Sequence, residues 1–202
     1  MGAVDATMWD QRYAGTDLVW TAEPNRFLVE QVAGLASGRA LDLACGEGRN
    51  AVWLASLGWR VTGVDFSAVG LDKARRLAAA KGVTCEWVVA DVTTFEPQAG
   101  AFDLVVMLYL HLRADAFAAA VRHAVGGIAP GGTLLVVGHD STNLTDGVGG
   151  PRDPAVLYGP DEVMVHLDGL VVERAERVRR PVATDAGTVD AIDVLVRARR
   201  PS

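Results

Sequence analysis

The chain has 202 residues, half of them hydrophobic, with a net charge of −6 and a pI near 5.2. That length suits one domain that buries its core without disulfides or metal, and the acidic balance argues against a protein that grips a nucleic-acid backbone. Cys45 and Cys85 lack ligand spacing, no apolar run approaches the about 18 residues of a membrane span, and the first residues have no leader-like composition, so a cytoplasmic protein without structural zinc is expected.

Residues 1–36 read as an aromatic arm carrying Trp9, Arg12, Tyr13 and Trp20, followed by a helix over 24–35. From Arg39 onward, short β-rich apolar runs alternate with alanine-rich helical ones, the pattern of a parallel sheet covered on both faces. The runs predict strands at 40–44, 60–65, 85–90, 102–108 and 133–138, with helices at 50–57, 67–81 and 115–128 between them. Residues 140–159 are rich in Gly, Pro, Asn and Asp, and a connection of that length reads as a substrate loop. A short helix opening at Pro160-Asp161-Glu162 follows, then strands at 171–179 and 189–197 that Asp185-Ala186-Gly187 turns into an antiparallel hairpin.

The stretch that carries chemistry is Asp42-Leu43-Ala44-Cys45-Gly46-Glu47-Gly48-Arg49-Asn50-Ala51, a strand running into a glycine loop that opens a helix. In doubly wound sheets ligands bind outside the carboxyl ends of the strands, where glycine admits close approach to the backbone. The next strand ends at Asp65, about 20 residues on, where a carboxylate accepts both hydroxyls of a ribose. Gly46-x-Gly48-x-x-Ala51 also satisfies the dinucleotide fingerprint, so the glycines alone leave a nicotinamide nucleotide open. Asp42 and Glu47 weigh against it, because a pyrophosphate would meet two carboxylates. S-adenosylmethionine (SAM) instead offers an ammonium and a sulfonium to an acidic loop, and its carboxylate has Arg49 or the helix amides. Asp42 reads alternatively as a strand residue paired with a backbone donor. Phe66 either covers an adenine face or packs in the core. Asp91 either accepts the adenine amine, with the Val92 amide at a ring nitrogen, or serves as a turn residue.

With these motifs the sequence resembles the class I SAM-dependent methyltransferases from Ala40 to Arg199. The matching segments are the Asp42–Asn50 loop, Val64-Asp65-Phe66-Ser67, Ala90-Asp91-Val92, Phe102-Asp103-Leu104-Val105 and Ile128-Ala129-Pro130-Gly131-Gly132-Thr133. The resemblance implies an α/β, doubly wound, Rossmann-like sheet of seven strands, mostly parallel with an antiparallel C-terminal strand. It also implies SAM as cofactor, with Asp42, Ala44, Gly46, Gly48, Arg49, Asp65, Phe66, Asp91, Val92 and Leu108 around it and no metal. Trp9-Asp10-x-Arg12-Tyr13 with Trp20 resembles the tellurite-resistance and thiopurine methyltransferase branch, which implies that Trp9, Arg12, Tyr13 and Trp20 fold over the cofactor. A hydrophobic arm packed on the sheet edge is the competing reading. Arg180-Pro181-Val182 stands where the tellurite-resistance proteins carry a His-Arg pair, a departure that points away from tellurite.

Met107-Leu108-Tyr109-Leu110-His111 lacks the Asn/Asp-Pro-Pro-aromatic motif of enzymes that methylate base amines, so nucleic acid is disfavoured as acceptor. His111 and His139 end the fourth and fifth strands, where an acceptor lies, and either orient it or take its proton. His123 and His166 fall in helices, and the arginines at 174–180 and 197–200 read as solvated hairpin faces. The expectation is a methyltransferase acting on a small molecule, a thiol or other chalcogen nucleophile among the acceptors. A NAD-dependent oxidoreductase and a non-catalytic SAM-binding protein are the alternatives.

Overall fold

The computed structural model describes residues 6–185 and 187–202. Strands β1 (Arg39–Leu43), β2 (Arg60–Asp65), β3 (Glu86–Val89), β4 (Phe102–Leu108), β5 (Ile128–His139), β6 (Val171–Thr184) and β7 (Gly187–Arg199) form one sheet. Their order is β3-β2-β1-β4-β5-β7-β6. The first five run parallel, and β7 is inserted antiparallel between β5 and β6. β1 pairs with β2 on one side and β4 on the other, so the strand order reverses there, the switch point beside which doubly wound sheets bind ligands at the carboxyl ends of their strands.

The central strands read as unbroken apolar runs because both their faces are covered. Successive residues of β4 divide accordingly. Val105 and Met107 join Leu41, Leu43, Val136 and Val194 on one face, under Phe117, Ala120, Val121 and Ala124 of α5 (Ala114–Gly127). Leu104 and Val106 join Ala40, Leu135, Val137 and Leu195 on the other, under Phe27, Leu28 and Val32 of α2 (Arg26–Val32) and Ala51 and Leu54 of α3 (Arg49–Ser56). Asn25 Oδ1 caps α2 by accepting from the Phe27 and Leu28 amides at 2.8 and 3.2 Å, and the Asn25 amide donates to Asn50 Oδ1 at 2.8 Å. One asparagine thus starts the helix and anchors it to the glycine-loop helix. Ser67 caps α4 (Ala68–Ala80) through the Gly70 amide.

Five expectations are corrected. The arm is not irregular throughout, since Ala6–Tyr13 forms a helix, α1, that packs on α4 and buries Tyr13. β5 begins at Ile128 rather than 133: Phe102 pairs with Ile128 and Leu104 with Thr133, so Pro130-Gly131-Gly132 sits in a bulge within the strand. Residues 140–159 contain the short helix α6 (Asn143–Asp146) and a 3-10 turn at Pro154–Val156. Tyr158 there joins the core, stacked on Phe117 at 4.2 Å with its hydroxyl donating to the Leu110 carbonyl. The hairpin strands are longer than predicted, because backbone pairing between them continues out to Thr184 and Gly187, past the buried part of the sheet. His166 lies in a turn after α7 (Pro160–Met164), outside the helix expected for it. Among the described residues no helix is long and apolar enough to cross a membrane.

Candidate active site

The glycine loop leaves β1 at the switch point. Among the described residues only Ala44 and Tyr109 are non-glycine residues with positive φ, both at 59°. They follow β1 and β4, the two strands that meet at the switch point. Such a conformation costs an L-residue about 1–2 kcal/mol, and strain of this kind gathers at functional sites. Gly48 has φ 77°, and a Cβ there would lie 2.6 Å from the Ala74 Cβ on α4. Only glycine fits.

Asp42 is buried at 1% exposure, and its Oδ2 has no hydrogen-bond partner. Burial, then the charge of Asp65, pushes its carboxyl up to about 7. Asp65 is buried too. Its Oδ2 accepts from the Gly46 amide at 2.8 Å and its Oδ1 from the Ser67 amide at 2.9 Å, and burial still raises its pKa. Each carboxylate oxygen has a second lone pair, so these bonds leave capacity for ribose hydroxyls.

Glu47 does not face a ligand, contrary to expectation. Its carboxylate pairs with Lys73 Nζ at 3.0 Å, both side chains 3% exposed, and accepts from the Val19 and Trp20 amides at 3.0 and 3.1 Å. Lys73 also donates to the Asp17 carbonyl. The acidity presented by the loop therefore rests on Asp42, and Glu47 fastens the arm to the loop. Tyr13 sits on Gly46: a Cβ at that glycine would lie 2.8 Å from the phenol oxygen. Burial, then Asp65, drives the Tyr13 pKa upward, so it is a neutral phenol. Trp9, Arg12 and Trp20 form an outer stack, the guanidinium 5.1 and 5.0 Å from the two indole rings.

The other adenosine candidates divide. Asp91 is exposed, and its Oδ1 accepts from the Thr93 amide and hydroxyl, both at 2.8 Å. It is a turn-forming residue. Val92 and Leu108 are buried, one in each core cluster, and Phe66 is half-buried at the end of β2.

A second cluster lies beyond β4, and most of it was missed by the sequence reading. The Tyr109 hydroxyl donates to Asp193 Oδ2 at 2.7 Å, and Arg180 Nε contacts Asp193 Oδ2 at 2.7 Å and the Tyr109 oxygen at 3.0 Å. His139 packs its ring 4.9 Å from Tyr109 and 5.3 Å from His111. Arg180 and Arg177 are not simply solvated. Arg180 is half-buried on Asp193, and Arg177 Nε donates to the buried Asp140 at 2.9 Å. Arg197 and Arg200 likewise bond the Gln31 and Val125 carbonyls. The available signal was parity: Asp193 alternates with Leu195 on a strand face otherwise committed to core. Arg49 donates to the Thr21 hydroxyl at 3.3 Å. Burial lowers its pKa, Tyr109 and Asp42 act to raise it, and Arg180 opposes them.

Residues 40–132 match the family model described as a methyltransferase domain. Over 128 residues the chain is 28% identical to the 2-heptyl-1-hydroxyquinolin-4(1H)-one methyltransferase of Mycobacteroides abscessus, covering 62% of this chain and 56% of that protein. It is 34% identical over 125 residues to the demethylmenaquinone methyltransferase of Thermus thermophilus, covering 61% and 55%. The chain thus spans a little over half the length of these two curated relatives. Ribosomal RNA methyltransferases also match over shorter segments. The N-methyltransferase NodS of Bradyrhizobium japonicum, solved with S-adenosylhomocysteine, shares the fold with a TM-score of 0.74 at 22% identity, over 98% of each chain. TehB of Haemophilus influenzae shares it at 0.71 and 18%, over 95% of this chain and 65% of that one. The two solved structures share the fold of this chain, and the tellurite and thiopurine branch is not singled out among these relatives.

Proposed function

We propose that the chain binds SAM at the carboxyl ends of β1 to β3 and transfers its methyl group to a small-molecule acceptor held beyond β4 and β5. The observation that carries this reading is the orphaned Oδ2 of Asp42, a buried carboxylate oxygen beside a strained loop with no partner of its own. A cationic ligand satisfies it, and a pyrophosphate does not. Asp65 is positioned for the ribose, Arg49 for the carboxylate of the amino-acid end, and Phe66, Asp91 and Val92 for the adenine. SAM supplies an activated methyl on a leaving group that needs no protonation. The protein's task is then alignment and exclusion of water, which Tyr13 and the outer stack of Trp9, Arg12 and Trp20 support as a cover. The hydroxyquinolone and menaquinone precursors in the names of the two curated relatives are small molecules, which supports that acceptor class over nucleic acid; nothing favours a thiol.

Calorimetry with SAM, S-adenosylhomocysteine and NADH tests the reading. The first two bind and NADH does not, and Asp65→Ala weakens SAM by roughly 10- to 100-fold, the about 1.5–3 kcal/mol of charge-assisted bonds. Undiminished affinity in a folded variant removes Asp65 from the site.

A further inference from the structure

A buried carboxylate and an imidazole oppose each other on neighbouring strands. His139 on β5 and Asp193 on β7 are direct cross-strand partners, with Nδ1 3.0 Å from Oδ1. The approach falls short of an aligned hydrogen bond, yet neither atom has another partner. The other oxygen of Asp193 is engaged by the Tyr109 hydroxyl and Arg180 Nε, and the side chain is fully buried. Two buried orphans at this separation are satisfied together by one proton on Nδ1. His111 fixes the ring from behind. Its Nδ1 donates to the Val156 carbonyl at 3.2 Å, its Nε2 faces the His139 amide at 3.4 Å, and burial brings its pKa down to about 4, so it stays neutral. What is left over is His139 Nε2. It has no hydrogen bond, it abuts Gly150, and its side chain keeps 12% exposure.

We propose that Asp193 and His139 act as a base dyad, and that the acceptor is a weakly acidic hydroxyl of the phenol type. This rests on the methyltransferase reading above. Asp193 is the positioning residue: it holds the proton on Nδ1, so that the Nε2 lone pair points outward, and it balances the imidazolium that forms. The acceptor's O–H proton passes to Nε2. The acceptor oxygen bonds the methyl carbon with a lone pair as the carbon–sulfur pair returns to sulfur, leaving a neutral thioether, and the imidazolium later gives its proton to solvent. A phenol, with a pKa near that of tyrosine at about 10, is almost wholly protonated at neutral pH and needs such a base. A thiol, titrating near about 8.5, supplies its own anion more readily. The Arg180 guanidinium, beside the Tyr109 oxygen, favours the phenolate as it forms.

Two measurements test this. Nitrogen-15 NMR of histidine-labelled, ligand-free protein shows His139 with a protonated Nδ1 and a bare Nε2, and Asp193→Asn gives a mixture of tautomers. With SAM and a series of substituted phenols, His139→Gln and Asp193→Asn lower kcat/KM by about 10²- to 10⁴-fold for weakly acidic acceptors. The deficit closes for nitrophenols, which arrive already ionised. An equal loss across the series, an unchanged His139 tautomer in Asp193→Asn, or no loss at all overturns the dyad. Calorimetric SAM affinity is retained in both variants, which keeps the two readings apart. If wild-type protein binds no SAM and methylates nothing, the methyltransferase reading has failed; if it methylates phenols and the variants match it, only the dyad has.

Discussion

On the proposed reading, the buried carboxyl of Asp42 ties SAM binding to pH. Its folded-state carboxyl is raised to about 7 by burial and by Asp65, against an unfolded value of about 3.9. The folded protein therefore holds a proton that the unfolded chain releases. This contribution to stability is complete below about pH 4 and is lost as pH rises through about 7. Asp65, raised in the same direction, adds to the trend. Asp42→Asn should flatten part of the fall in urea-unfolding free energy between pH 5 and 8. Ligand binding runs the other way, because a bound cation favours the carboxylate. SAM affinity of the wild type should rise from pH 5.5 to 7.5 with release of a proton. In Asp42→Asn, calorimetry should find binding weaker and its pH slope reduced. A wild-type affinity that does not change over that range would remove the carboxylate from contact with the cation.

Among the elements, the junction of arm, loop and α4 depends on the buried Glu47–Lys73 pair. Lys73→Met leaves the Glu47 charge buried without its partner and should cost about 3–5 kcal/mol, read by urea unfolding. The Val19 and Trp20 amides, which Glu47 holds, should exchange hydrogen faster. Adding Glu47→Gln should restore much of the stability, since a neutral amide there carries no unpaired charge. The same junction shows where sequence reading ran out. The placement of Asp42, Gly46, Gly48 and Asp65 at the ends of β1 and β2 and in the loop between β1 and α3 was legible because short strand-to-loop segments have distinctive spacing. Glu47 was misread because its partner is 26 positions away on another element. Tyr109 and Asp193 escaped notice because they are 84 positions apart and meet only through the register of β7 on β5. α1 was missed because eight residues with one buried side chain carry almost no apolar period.

For the molecule as a whole, the sheet was legible because strands buried on both faces read as continuous apolar runs, and because helices between them impose parallel order. The described residues of the arm contribute no strand to that sheet, whereas α2 supplies Phe27, Leu28 and Val32 to its core. Removing residues 1–24 should therefore leave the sheet folded, provided Asn25 remains to cap α2 and bond Asn50. SAM affinity of that truncated protein should fall, and hydrogen exchange of the full chain should slow in α1 when SAM is added. If the truncated protein binds as tightly as the full chain, the arm is packing and not a cover. On the proposed reading, the seat of Tyr13 on Gly46 also has a consequence in time. A ligand bound for the loop meets a phenol already resting there, so its arrival waits for the arm to lift, and at high concentration the observed association rate levels off at the opening rate. Departure waits on the same motion. How long the product lingers, and hence how fast the cycle turns, would then be governed by a one-helix latch remote from the atoms that react.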